Sequence, residues 1–182
     1  CDLIAHYGAK YGLRYYILSF PNIFCYHPNP TYFVDGKKRW TGQRAIIEQA
    51  KRGEDIELWG NPKAARDVFY VKDCTQIIEK CFTSDGQCGI YNVGTGWTVT
   101  RQQQIQGLID VFGRHDQPSK IIVRTDKPDS PIYLLDISKT IEELGFQPKY
   151  DYLTYLKDLK YEMEINRFEK LWGKESDYTE GL

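Results

Sequence analysis

The sequence lacks a cysteine framework. Its five cysteines, Cys1, Cys25, Cys74, Cys81 and Cys88, are an odd number, widely spaced and without a Cys-x-x-Cys pair, so neither a disulfide scaffold nor a zinc site is suggested. It lacks an excess of one charge as well. With 24 basic and 25 acidic residues mixed along the chain and a net charge of −1, there is no basic face to draw it to nucleic acid or to an anionic membrane, and neither is expected as a partner. No apolar run approaches the roughly 18 residues that cross a bilayer, and no signal-peptide pattern is present. The cytoplasm is the expected compartment. There is no internal repeat and no low-complexity stretch. No complete Gly-x-Gly-x-x-Gly occurs, and none of the 14 tyrosines has a lysine four residues on. The chain also starts without Met, at Cys1 and inside a helical pattern, as the middle of a longer protein would.

What is present is a globular chain of 182 residues, 41% hydrophobic and 14% aromatic, enough to bury one sizeable core or a domain plus a lobe. The stretch Arg66-Asp67-Val68-Phe69-Tyr70-Val71-Lys72-Asp73 organises it. Val68 to Val71 reads as a short buried strand entering a helix. Asp73 is expected to cap that helix with Gln76 at the third position, and Ile77, Ile78, Cys81 and Phe82 to share one side of it.

Upstream, Leu3, Ile4, Tyr7 and Tyr11 recur at helical spacing before Gly12. Tyr15 to Phe20 is almost wholly apolar, as a strand covered on both faces would be. Pro21-Asn22 ends it, and 25–40 is expected to be a long irregular segment. A helix over Arg44–Arg52 stops at Gly53, and Ile56 to Trp59 alternates as a half-exposed strand. Ile90 to Val93 is a further strand, closed by Gly94-Thr95-Gly96. Thr100 with Gln103 forms a capping box that turns Ile105, Leu108, Ile109 and Phe112 inward. A strand is expected at Ile121–Val123 and a short helix from Ser138 to Gly145. Leu153, Leu156, Leu159 and Met163 mark a last amphipathic helix, and 173–182 reads as a polar tail.

Several residues carry two readings. Arg66 beside Asp67 is either a surface ion pair or a guanidinium that grips a diphosphate through two parallel hydrogen bonds, each worth about 1.5 to 3 kcal/mol. Trp59 is either core or a flat face for a nucleobase. Asn22 is either a turn residue or a ligand for a substrate oxygen at the carboxyl end of a parallel strand. Cys25-Tyr26-His27 has no second histidine or carboxylate at ligand spacing, which argues against a metal or a nucleophile there. Cys74 and Cys81 share a helix face as core residues. Gly94-Thr95-Gly96 is only half a phosphate loop, because Val99 stands where its last glycine is required.

Taken in order, these pieces resemble the C-terminal half of an extended short-chain dehydrogenase/reductase of the NAD-dependent epimerase/dehydratase family, the nucleotide-sugar modifying enzymes. The resemblance rests on Tyr11-Gly12-Leu13 with Leu18 to Phe24, on Leu58-Trp59-Gly60 with Arg66 to Asp73, on Tyr91 to Gly94, and on Asp136 to Lys139 with Leu144-Gly145. It implies an α/β fold made of the last strands of a Rossmann-type parallel sheet plus a small mixed α/β substrate-binding lobe. The expected division is 1–24 as the end of the Rossmann domain, 25–65 as a substrate-binding segment, 66–100 as a return to the sheet, 101–172 as a C-terminal substrate lobe and 173–182 as a tail. It also implies that Pro21 sits near the nicotinamide of NAD or NADP, that Asn22 and Arg66 contact the diphosphate of a nucleotide-sugar substrate, and that Trp59 packs on its base. Lys127-Pro128-Asp129 stands where such enzymes often carry Arg before Pro-Gly-Asp; lysine keeps the charge for a phosphate and loses the bidentate fork. Ser19 replaces the usual Arg, and Cys25-Tyr26 the usual Gly-Pro. In the family a Tyr-x-x-x-Lys pair exchanges the proton while hydride passes between sugar and nicotinamide. That pair and the cofactor glycines are not in this chain, so it holds no catalytic residue by this resemblance and no turnover is expected of it alone. The helix from Cys1 is a candidate for a homodimer contact. The rival readings are a non-catalytic binding or scaffold protein of the same fold, and a reductase of a small carbonyl compound.

Overall fold

The structure is a computed structural model that describes residues 2–180. In chain order its elements are α1 (Asp2–Tyr11), β1 (Tyr16–Ser19), β2 (Ile23–Phe24), β3 (Thr31–Val34), β4 (Lys37–Trp40) and α2 (Gly42–Arg52). Then follow β5 (Ile56–Trp59), β6 (Ala65–Arg66), β7 (Phe69–Tyr70), α3 (Val71–Thr83), β8 (Gly89–Asn92), β9 (Val99–Thr100) and α4 (Arg101–Phe112). The chain closes with β10 (Ile121–Arg124), α5 (Ser138–Leu144), α6 (Tyr152–Ile165), α7 (Glu169–Trp172) and α8 (Ser176–Thr179). The helix expected from Cys1 is thus described from Asp2, and Cys1 lies outside the described residues, as do Gly181 and Leu182 of the expected tail. Two compact units share these elements: Cys1–Phe24 with Ala65–Val99 and Ile132–Asp151, and Cys25–Ala64 with Thr100–Pro131 and Tyr152–Leu182.

In the first unit β1 runs parallel to β8, with Tyr16 opposite Gly89 and Ser19 opposite Asn92, and β2 runs parallel to β7. Its core joins Phe69, Cys74, Ile77, Tyr91 and Val93 to Leu144 and Phe146. Ile132–Asp151 therefore belongs with this core, which divides the segment 101–172 expected as one lobe. The expected cap of α3 is corrected. The helix already begins at Val71, after an extended Tyr70 that makes no side-chain cap, so Asp73 lies inside the first turn. It is buried there and accepts the backbone N–H groups of Lys149 (2.9 Å) and Tyr150 (3.2 Å), fastening a distant segment instead of its own helix end. Ile78 and Phe82 are exposed, unlike Ile77. β1 is half-buried, not covered on both faces, and Leu3, Ile4, Tyr7 and Tyr11 of α1 are exposed.

In the second unit β5 runs parallel to β10, with Ile56 opposite Ile121 and Trp59 opposite Arg124. Helix α4 packs on both α2 and α6, and Ile46, Ile47, Ile105, Leu108, Tyr155, Leu156 and Leu159 are buried. The capping box is present with both its bonds, Gln103 N–H to Thr100 Oγ1 and Thr100 N–H to Gln103 Oε1. Residues 25–40 are not irregular throughout, since β3 and β4 form an antiparallel hairpin. Its two-residue turn, Asp35-Gly36, has positive φ at both positions (48° and 71°), the geometry that Asp-Gly favours and that matches strand twist. The expected tail is likewise structured in its described part. Arg44 of α2 forms an ion pair with Glu175, and the Tyr178 hydroxyl donates to the Trp172 carbonyl.

Candidate functional site

The sequence-predicted residues fall into two groups, one in each unit. In the first unit, β1 ends at Ser19 and delivers a half-buried Pro21 and an exposed Asn22 into the turn before β2. Arg66 stands at the end of β6, bridged in parallel to Tyr133. The ion-pair reading of Arg66 with Asp67 does not hold, because successive side chains of an extended segment point to opposite faces. Asp67 is wholly buried and accepts from Thr95, from its N–H (3.1 Å) and from its hydroxyl (2.8 Å). Burial pushes the Asp67 carboxyl above the usual carboxylate range, and the two Thr95 bonds only partly oppose this. The Arg66 guanidinium lies 5.7 Å from the centroid of the Phe24 ring, and its Nε is buried without a hydrogen-bond partner. The hydroxyl of Tyr133, across the bridge, is also buried and without a partner. Bridged residues project from the same face, so a planar cation and a phenol stand side by side with unused hydrogen-bonding capacity. An unsatisfied buried donor costs about 1 to 3 kcal/mol, which a ligand oxygen accepting from it would offset.

The same geometry settles the half phosphate loop. Gly94 is required because a Cβ there would run into Asp67 Oδ2, so Gly94-Thr95-Gly96 is folded around a carboxylate and offers no cradle to a dinucleotide. Among the described residues no His/Cys/Asp/Glu group could hold a metal ion. His27 instead stacks on Trp172 with ring centroids 5.0 Å apart.

In the second unit the structure brings Trp59 and Lys127 together at the carboxyl ends of the paired strands β5 and β10. Trp59 is 51% exposed and so is not a core residue. Its indole N–H donates to Glu57 Oε2 (2.9 Å), and Glu57 in turn pairs with Arg124 (2.6 Å), which also holds Asp126 (2.9 Å). The Trp59 hydrogen bond first, and the Arg124 charge after it, hold the Glu57 carboxyl below its usual range. The ring is thereby fixed at its edge while a face remains available. Lys127 Nζ lies 5.6 Å from the ring centroid, within cation–π range. Asp129 sets the turn between them, accepting from Asn61 N–H (2.6 Å), while Gly60 N–H donates to the Arg124 carbonyl (3.0 Å). An aromatic face beside an ammonium suits a planar base carrying phosphate.

Sequence reasoning missed Tyr133, Glu57, Arg124 and Thr95. The alternation of Ile56 to Trp59 places Glu57 and Trp59 on one face and could have paired them. Tyr133 has no local signal, since only the return of Ile132–Asp151 to the first unit brings it to Arg66.

The sequence profile of the NAD dependent epimerase/dehydratase family matches residues 2–94. A dTDP-glucose 4,6-dehydratase of Xanthomonas campestris is 27% identical over 59% of this chain and 33% of its own length. A dTDP-4-dehydro-6-deoxy-D-allose reductase of Streptomyces bikiniensis is 26% identical over 70% of this chain and 39% of its own. The chain thus spans between about a third and two fifths of these relatives. Among solved structures, a UDP-glucose 4-epimerase of Thermotoga maritima with UDP-glucose superposes with a TM-score of 0.65 at 25% identity, over 91% of this chain and 51% of that one. A UDP-N-acetylglucosamine 4-epimerase of Bacillus cereus shares the fold with a TM-score of 0.68 at 23% identity, over 90% of this chain and 50% of its own.

Proposed function

This chain belongs to the NAD-dependent epimerase/dehydratase family, and from that premise we propose that it grips the nucleoside diphosphate of a nucleotide-sugar for an NAD(P)-dependent epimerase or dehydratase. The observation that carries the reading is the pair of unsatisfied buried groups, Arg66 Nε and the Tyr133 hydroxyl, on residues joined by an isolated parallel bridge. A diphosphate presents several acceptor oxygens, the complement of a guanidinium and a neighbouring phenol that lack acceptors. Asn22 adds an exposed amide in the turn after β1; in the second unit, taken by itself, Trp59 with Lys127 offers a flat face and a charge suited to a base and a phosphate.

Of a cofactor site, this chain would supply Pro21, half-buried in the turn after β1, toward the nicotinamide, the group that accepts or returns the hydride. With no Tyr-x-x-x-Lys pair in the sequence, the chain alone binds without turning substrate over.

Calorimetric titration with UDP-glucose, UDP and dTDP-glucose tests this. Arg66→Ala should weaken the nucleotide-sugar that binds by roughly tenfold or more. Unchanged affinity in that variant, or no nucleotide-sugar bound by the wild-type chain, overturns the reading. Binding of a small carbonyl compound that is indifferent to Arg66 would favour the reductase.

A further inference from the structure

The hairpin β3–β4 exposes chemistry that nucleotide-sugar binding does not use. Tyr32, Phe33 and Val34 are consecutive and 47%, 70% and 39% exposed. Register sorts the two strands into faces: Tyr32 opposite Arg39 and Val34 opposite Lys37 on one, Thr31 opposite Trp40 and Phe33 opposite Lys38 on the other. The first face is exposed along its whole length and combines two apolar with two basic side chains. Phe33 exposes the outer part of the second. A protein that docks on a two-stranded ribbon covers one of its faces, and would leave either Phe33 or the Tyr32–Val34 pair in water. Only a medium that surrounds the tip covers all three.

Charge points the same way. Lys37, Lys38 and Arg39 follow the turn directly, and Asp35 is the single acidic residue of 31–40. Lys37 and Arg39 make no ion pair with a described residue, while Lys38 donates to the Glu180 carbonyl (3.3 Å). The balanced net charge of the chain hides this local excess. Tyr32 and Trp40 add amphipathic rings of the kind that settle at headgroup depth. The turn with positive φ at Asp35 and Gly36 keeps the ribbon preformed, so little order has to be gained on binding.

We propose that this hairpin is a membrane-surface anchor, its Tyr32-Phe33-Val34 edge entering the headgroup boundary of an anionic bilayer with Lys37 and Arg39 against acidic lipid. The anchoring is peripheral and reversible. No helix among the described residues is long and apolar enough to cross a membrane.

Flotation of the full chain with vesicles tests it. Phosphatidylcholine vesicles containing about 30% phosphatidylserine should carry the chain, pure phosphatidylcholine should not, and high salt should release it. Replacing Lys37 or Arg39 by Ala should weaken binding roughly fivefold each, and Phe33→Ser roughly tenfold or more. Phe82→Ser, at an equally exposed phenylalanine far along the sequence, is the control and should leave binding intact, with near-ultraviolet circular dichroism confirming that every variant is folded. No flotation with the acidic vesicles, equal flotation with neutral ones, or full binding by folded Phe33→Ser overturns the proposal. So does self-association in the absence of lipid that Phe33→Ser abolishes, which would assign the hairpin to a second copy of the chain.

Discussion

Asp67 holds a carboxylate where its side chain has no exposure, and its raised pKa sets the sign of a pH effect. Between the ordinary aspartate value of about 3.9 and the raised one, the folded chain binds the proton more tightly than the unfolded chain does. Stability contributed at this site is therefore fully present at acid pH and is lost as pH rises through that window. Asp73 is shifted in the same direction, with burial again the first cause. In Asp67→Asn, urea midpoints measured from pH 4 to pH 7 should fall less steeply than in the wild type; parallel slopes would show that Asp67 does not titrate in that window. Tyr133→Phe separates stability from binding. Removing a buried hydroxyl without a partner should leave stability unchanged or raise it by about 1 kcal/mol, while nucleotide-sugar affinity drops roughly fivefold. A loss of stability with affinity intact would return Tyr133 to the core. At this scale the sequence displayed the side chains and hid their partners. Arg66 and Asp67 are neighbours in the chain yet serve opposite faces, and Asp67 finds its donor at Thr95, which only the tertiary fold brings to it.

At the scale of elements, local rules were legible wherever local chemistry decides. Thr100 and Gln103 make their reciprocal bonds, and Thr100→Ala should cost about 1 kcal/mol, read as a lowered urea midpoint with an unchanged slope. The hairpin was missed although Asp35-Gly36 lies between strand-forming residues, because the prolines and polar residues of 25–30 read as loop and that reading ran on to 40. Asp73 misled because an Asp three residues before Gln is a capping pattern, whereas the helix takes the buried Tyr70 at its cap position and so starts three residues earlier than such a cap would set it. The described end of the chain is polar by composition and still ordered, because one charge, Glu175, meets an almost buried Arg44. Arg44 also has its Nε buried without a partner, so Glu175→Ala leaves an uncompensated cation and should destabilise by about 1 to 3 kcal/mol. Chemical denaturation checks this, and Glu175→Gln, which keeps an acceptor, should recover part of the loss.

At the scale of the whole molecule, three separate segments build each unit, and no local pattern announces which core a segment joins. Phe146 is fully buried among Phe69, Cys74, Ile77, Tyr91, Val93 and Leu144, although a reading by position assigns it to a C-terminal lobe. Phe146→Ala should cost about 3 to 5 kcal/mol by removing a large core side chain. That loss falls on the first unit, whose segments Ala65–Val99 and Ile132–Asp151 become flexible loops if it unfolds. Loop closure rises only slowly with length, about 0.6 kcal/mol for each doubling, so the second unit can retain its own core of Ile47, Ile105, Leu156 and Leu159 while carrying those loops. Trp40, Trp59 and Trp172 lie in the second unit and Trp97 in the first, so tryptophan fluorescence follows mainly the second unit, whereas far-ultraviolet circular dichroism follows both. In Phe146→Ala the two signals should separate in urea, with ellipticity falling first, and amide exchange should place the early loss in α3 and β8. Coincident transitions would show that the two cores unfold as one cooperative body in spite of their separate packing.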